Sequence, residues 1–203
     1  LLGACMATIR VGVSVGKLQV LPRNLTGLTV LDVGGFGGSY ALFCLERGAA
    51  ACVVIDNGQY DLYDPDPEYE QVRQRRHHLQ EIGEKAGIVY HQCDLMHWSK
   101  PFDVVLCFDV LYHLPRWEEG LDRLRLLTRR TLCLSTFFVP GASGWKIYGE
   151  DEERPLQGLS PPTHRTVFAK PTVPALFASL GRVGFTEYQA VAIVDDNLAL
   201  RVS

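Results

Sequence analysis

The chain has 203 residues, 47% of them hydrophobic and 21% charged, with a formal charge of −3. That length suits one full α/β domain and is short for two, and the composition is that of an ordinary globule. A small negative charge excludes a global pull toward nucleic acid or anionic membrane, leaving only a local basic patch for such a partner.

Six cysteines (Cys5, Cys44, Cys52, Cys93, Cys107 and Cys133) form no C-x-x-C pair. Most sit in or beside apolar runs, where a thiol behaves as a small hydrophobe. The expectation is a reducing, cytoplasmic setting without a disulfide framework or zinc site. Leu2-Gly3-Ala4-Cys5 faintly matches a lipoprotein cleavage box, but no basic segment or long apolar run precedes it. The missing initiator Met suggests a trimmed fragment. No apolar run approaches the ~20 residues a spanning helix needs, so no membrane contact is expected.

In chain order, residues 1–27 are weakly patterned: Ile9 to Val13 alternates like a short strand, and Gly12 and Gly16 argue against a long helix. The segment reads as a flap over a ligand or as an edge. A first strand runs over about Thr29–Val33, stops in Gly34-Gly35-Phe36-Gly37-Gly38, and leads into a helix over 39–47 that turns Leu42, Cys44 and Leu45 inward. A second strand, 51–55, ends at Asp56, and Asn57-Gly58 signals a turn. After a loop holding Tyr60 and Tyr63, a helix starts near Pro67. Tyr69, Val72, Leu79, Ile82 and Ala86 mark its inner face, and Arg73, Arg75, Arg76, His77 and His78 lie elsewhere on it.

The third strand is Ile88–Gln92, ending at Cys93-Asp94, and the fourth is Phe102–Phe108, nearly all apolar as a parallel strand buried on both faces should be. A helix over 116–128 and a strand over 131–137 follow. Residues 138–171, rich in Gly and Pro, read as a long irregular insertion on the substrate side. Thr172 caps a helix that ends at Gly184, and strands Thr186–Val194 and Leu198–Val202 are joined so tightly that they must be antiparallel. Repeated β-α units and a closing hairpin predict one α/β domain over 1–203.

A strand, a glycine turn and a helix together present backbone N–H groups and a helix N-terminus to a ligand. A dinucleotide fingerprint from Gly35 would need Gly or Ala at position 40, where Tyr40 stands. An acid at the end of the second strand, Asp56, suits a pair of ribose hydroxyls.

Asp32-Val33-Gly34-Gly35-Phe36-Gly37-Gly38 resembles the first motif of class I S-adenosylmethionine-dependent methyltransferases: an acid, then glycines at alternate positions, at a strand end. The resemblance covers roughly residues 28–203. It implies a Rossmann-like, seven-stranded, mostly parallel sheet with an antiparallel C-terminal hairpin, helices on both faces, and S-adenosyl-L-methionine as cofactor. It also implies site residues. Asp32 and Gly34, Gly35, Phe36, Gly37 and Gly38 would approach the amino-acid portion, Asp56 with Asn57 the ribose, and Asp94 with Leu95 the adenine. Phe36 and Phe108 would flank the adenine or the sulfonium, since aromatic faces attract cations; for Phe108 core packing is the other reading.

The run Phe102 to His113 further resembles the fourth-strand segment of the tRNA wobble-uridine carboxymethyltransferases, in which the tyrosine of Leu-Tyr-His touches the cofactor, here Tyr112. The cations that precede strand one in that family have Lys17 as their nearest counterpart. A carboxylated cofactor would then lack partners, and a buried unpaired carboxylate is costly. The plain methyl donor is preferred and the carboxylated analogue is the lesser reading.

For catalysis the candidates are His113 as general base, Asp109 orienting the nucleophile, and Tyr112. His113 also reads as a backbone cap. The Arg73–His78 cluster would dock phosphates or be a solvated face. His91, His97 and His164 show no ligand spacing, so no metal is expected. Neither an Asn-Pro-Pro-Tyr motif nor a Pro-Cys dipeptide occurs. The expected function is methyl transfer to a small-molecule acceptor. The alternatives are tRNA modification and non-catalytic cofactor binding. Oligomeric state is left open.

Overall fold

The computed structural model describes residues 13–58, 67–114, 116–141, 144–148, 168–194 and 197–203. A short helix, α1 (Val15–Val20), precedes β1 (Thr29–Val33), α2 (Ser39–Glu46) and β2 (Ala51–Asp56). Then come α3 (Pro67–Lys85), β3 (Val89–Gln92), β4 (Phe102–Phe108), α4 (Trp117–Leu127) and β5 (Thr128–Phe137). The chain closes with β6 (Trp145–Tyr148), β7 (Phe168–Pro171), α5 (Val173–Arg182), β8 (Tyr188–Val194) and β9 (Asn197–Val202).

Seven strands form one sheet in the order β3-β2-β1-β4-β5-β9-β8. β1 to β5 are mutually parallel, and β9 runs antiparallel to both β5 and β8. The seven-stranded, mostly parallel sheet with its antiparallel C-terminal pair is therefore as expected. Strand order reverses between β1 and β4, and ligands of open α/β sheets bind outside the carboxyl ends of the strands at such a reversal.

Two apolar layers cover the sheet. Val104, Leu106 and Phe108 of β4 join one layer with Val30, Val54, Ala41 and Leu42. Val105 and Cys107 join the other with Leu31, Leu121, Leu124, Leu176 and Leu180. From Val104 on, successive β4 side chains thus alternate between two buried faces, which is why the strand is apolar there, Asp103 near its start being the exception. Cys44, Cys52, Cys107 and Cys133 are buried as small hydrophobes. α5 begins where Thr172 predicts, its Oγ1 accepting the Ala175 N–H at 3.4 Å.

Three expectations change. β5 starts at Thr128, three residues before the predicted Thr131, because the helix gives way directly to the strand at Leu127. Arg129 and Arg130 are exposed, so the strand's first residues carry no apolar signal. The 138–171 segment is not irregular throughout: β6 and β7 pair antiparallel, Trp145 opposite Pro171 and Tyr148 opposite Phe168. Partners that far apart in sequence leave no hairpin signature. On α3, Val72 is 37% exposed and Arg76 only 7% exposed, and Ala86 is exposed as well. The predicted strand at Ile9, the Tyr60–Tyr63 loop and His164 lie outside the described residues. Among the described residues no helix is long and apolar enough to cross a membrane.

Candidate functional site

The glycine turn sits at the β1/β4 reversal. Gly34 has φ +62, and a Cβ there would lie 2.4 Å from Val110 Cγ2. A Cβ on Gly35 would lie 2.7 Å from Asp32 Oδ2, and one on Gly37 2.6 Å from Leu79 Cβ. Each of these contacts is far inside van der Waals range, so the turn requires residues without side chains. Counted from Gly34, the alternate positions are 34, 36 and 38, and Phe36 holds the middle one with φ +53. That conformation costs a non-glycine residue roughly 1–2 kcal/mol. The Phe36 N–H is held in return by Asp56 Oδ2 at 3.1 Å.

Asp56, 8% exposed, also accepts the Gly58 N–H on Oδ1 at 2.9 Å, and Arg76 Nη2 stands 4.0 Å from that oxygen. Each carboxylate oxygen has two lone pairs, so these bonds leave capacity for a ligand hydroxyl. Asn57 is exposed beside it. At the end of β3, Asp94 Oδ1 caps a single 3₁₀ turn by accepting the Met96 N–H at 2.8 Å, and Leu95 is buried. Phe36, Asp56, Arg76, His77, Tyr90 and Gln92 line a polar cleft of about 260 Å³ next to the turn.

Asp32 lies beneath the turn, 1% exposed. Its Oδ2 is buried and has no hydrogen-bond partner among the described residues. Burial first, and the nearby Asp56 charge second, push its carboxyl up to about 7, against the opposing pull of the Ala41 backbone N–H.

At the end of β4, Asp109 has φ +60. Its Oδ1 accepts from Ser135 Oγ at 2.9 Å and from Asn197 Nδ2 at 2.8 Å, while Oδ2 takes the ammonium of Lys17 on α1. Tyr112 is buried, its ring 4.2 Å from that of His113 and 5.1 Å from that of Phe137. His113 is exposed. Phe108 is 7% exposed in the core layer and meets Tyr40 edge-on at 4.8 Å.

The strand ends thus bring Asp32, Gly34 to Gly37 and Asp56 into one connected set. Gly34 joins this set to the β4 end through Val110. Asp94 stands one strand further out, at the end of β3. Sequence reasoning missed Lys17, Ser135 and Asn197 as partners of Asp109, because they arrive from three remote parts of the chain. It also placed Arg76 among the helix's outer residues. The one local signal was the broken glycine alternation at Phe36.

The model of a family described as a methyltransferase domain matches residues 13–182. Among solved structures, an S-adenosylmethionine-dependent methyltransferase from Mesorhizobium loti shares the fold at TM-score 0.63 and 18% identity, over 92% of this chain and 94% of that one. The 1,6-didemethyltoxoflavin-N1-methyltransferase of Burkholderia thailandensis does so at TM-score 0.60 and 19% identity, over 99% and 80%. The magnesium protoporphyrin IX methyltransferase of Synechocystis PCC 6803 follows at 0.57 and 20%, over 99% and 79%. The tRNA U34 carboxymethyltransferase of Haemophilus influenzae (strain PittEE) is 28% identical over 184 residues, which is 89% of this chain and 52% of that protein. This chain spans about half the length of such relatives.

Proposed function

The chain belongs to the methyltransferase-domain family, and we propose that it transfers a methyl group from S-adenosyl-L-methionine to a small-molecule acceptor. The observation that carries this is the glycine turn at the β1/β4 reversal, pressed so closely on Val110 and Asp32 that no side chain fits, with Asp56 at the end of the adjacent strand. A polar ligand fits the buried Asp32 oxygen that has no partner among the described residues, and the spare lone pairs of Asp56.

The donor supplies a sulfonium-activated methyl carbon. The chain's residues supply position. Gly34, Gly35, Phe36 and Gly37 receive the amino-acid portion, Asp56 and Asn57 the ribose, and Asp94 and Leu95 the adenine. Phe108 and Tyr112 set the wall at the end of β4. Holding an acceptor atom ~3 Å from the methyl carbon accounts for most of the rate in such a displacement. His113, exposed at the crevice, takes the acceptor's proton. Asp109, engaged by three donors, orients neighbouring groups. On this reading residues 1–203 are one catalytic domain.

A tRNA acceptor is the second reading, supported by the carboxymethyltransferase relatives and by Leu111-Tyr112-His113. The arginine cluster weakens it: Arg76 is buried toward Asp56, and Arg73 Nη2 bonds Glu70 at 2.8 Å. The solved neighbours named for toxoflavin and porphyrin substrates support a small acceptor. Calorimetry with S-adenosylhomocysteine tests the shared premise, since no binding at millimolar ligand would end both readings. Asp56→Ala should weaken binding by roughly 1–3 kcal/mol through lost charged hydrogen bonds. Mass spectrometry of ligand carried through purification separates the plain donor from its carboxylated analogue.

A further inference from the structure

Tyr90 belongs to the edge strand β3, two strands away from β1, yet its side chain reaches the glycine turn. In register it lies beside Val54 of β2, and both side chains come up beneath the turn. A Cβ on Gly35 would lie 2.9 Å from Val54 Cγ1, and the Tyr90 hydroxyl donates to Gly37 O at 3.0 Å. Two glycines make room for that hydroxyl. A Cβ on Gly38 would lie 2.3 Å from Tyr90 Oη, and one on Gly83 only 2.0 Å from it. Gly83 is buried in the interior of α3, where glycine is less favourable than alanine. Its backbone is that of the helix, without a positive φ, so what calls for glycine there is the phenol across the gap.

The bond from Tyr90 fixes one peptide unit. Between Gly37 and Gly38, the carbonyl is held by Tyr90 and the N–H by Gly35 O at 2.7 Å. The peptide is planar, so both anchors act on a single rigid group. That group joins the turn to α2, whose Leu42 N–H donates to Gly38 O at 3.0 Å. Earlier in the turn, the Gly34 N–H is held by Ile55 O at 2.7 Å and the Phe36 N–H by Asp56. Those two anchors come from β2, whereas the Gly37 carbonyl is anchored from β3. Burial first, and the Asp32 charge next, raise the Tyr90 hydroxyl above its ordinary value, so it stays a donor.

We propose that Tyr90 is a positioning residue for methyl transfer: through Gly37 O it sets the glycine turn in the form that receives the amino-acid portion of the donor, and Gly83 is the gap in α3 that admits it. This rests on the S-adenosylmethionine reading above. Tyr90 acts through the turn and not on the ligand.

Calorimetry on folded wild type, Tyr90→Phe and Gly83→Ala tests this with two ligands: S-adenosylhomocysteine, and 5′-methylthioadenosine, which lacks the amino-acid end. Tyr90→Phe keeps the ring and loses the bond. It should weaken S-adenosylhomocysteine by at least about threefold, the order of one neutral hydrogen bond, while 5′-methylthioadenosine binds within about twofold of wild type. Gly83→Ala should push the phenol off Gly37 O and produce the same selective loss, even though alanine favours the helix. Combined, the two substitutions should cost little more than either alone, because both break one bond. If Tyr90→Phe does not fold, Gly83→Ala reads the same ratio of ligands. A purely structural Tyr90 would lower the denaturation midpoint and leave both affinities unchanged. That result, or an equal loss for the two ligands, overturns the proposal. Failure of wild type to bind either ligand would instead overturn the donor reading.

Discussion

At the scale of single residues, Asp32 is the most consequential group in the turn. Its carboxyl is raised to about 7 by burial, well above its ordinary value. The folded state therefore binds a proton that the unfolded state has already released between about pH 4 and pH 7. Stability attributable to Asp32 must fall as pH rises through that window and level off above it. Asp32→Asn, neutral and similar in shape, should remove this fall. Denaturant unfolding should show the variant gaining on wild type from pH 4.5 to pH 8 by up to about 3 kcal/mol. Parallel pH profiles for the two proteins would mean that Asp32 is not the group responsible. Gly35→Ala is the steric counterpart. Its new methyl would meet Asp32 Oδ2 at 2.7 Å and Val54 Cγ1 at 2.9 Å, at a cost of about 1–3 kcal/mol. Because the clash is shared, adding Asp32→Ala should recover part of that loss, a non-additivity measurable by a double-mutant cycle.

At the scale of elements, the two helices that frame the site are positioned by charge as well as by apolar packing. On α3, Arg76 occupies the inward position that apolar periodicity assigned to Val72, lying one turn from Leu79 with its charged end toward Asp56. An arginine can bury its stem while its head reaches a polar cleft, and local sequence cannot show that a carboxylate waits across the gap. On α1, six residues are too few for a helix to persist alone, so tertiary contacts must hold it. Arg47→Met removes bonds to three carbonyls and should destabilise the protein by about 1–3 kcal/mol. Amide exchange should accelerate over residues 15–22 before it does in β1 or β4. Uniform acceleration across the sheet would show that α1 is an integral part of the core and not a separately mounted element.

At the scale of the whole molecule, the sheet supplies the crevice and the ligand should repay it in stability. S-adenosylhomocysteine at a hundred times its Kd should add about 2.7 kcal/mol by mass action. For a chain of this size that corresponds to a rise in Tm of roughly 5–10 °C. A flat melting temperature across a ligand titration would count against the donor assignment. At fixed ligand, the shift should shrink in Asp56→Ala. The core itself is divided by the sheet into two layers, fed alternately by β4. The acids at the ends of β1 and β4, Asp32 and Asp109, are thus carried by strands buried almost throughout, which limits how far they can drift, whereas Asp94 follows the exposed edge strand β3.

The sequence alone determined the fold and the place of the crevice. Two-sided apolar strands, helical spacing between them and glycines at the end of β1 are local signals, and a parallel sheet converts them into a crevice at the strand ends almost without choice. Only the tertiary structure decided who partners whom at that crevice. Asp109 is held by Lys17, Ser135 and Asn197 from positions 17, 135 and 197. Phe36 keeps its left-handed backbone because Asp56, twenty residues on, accepts its N–H. Such pairings carry no periodicity, because what selects them is charge and burial in three dimensions, and those exist only once the chain has folded.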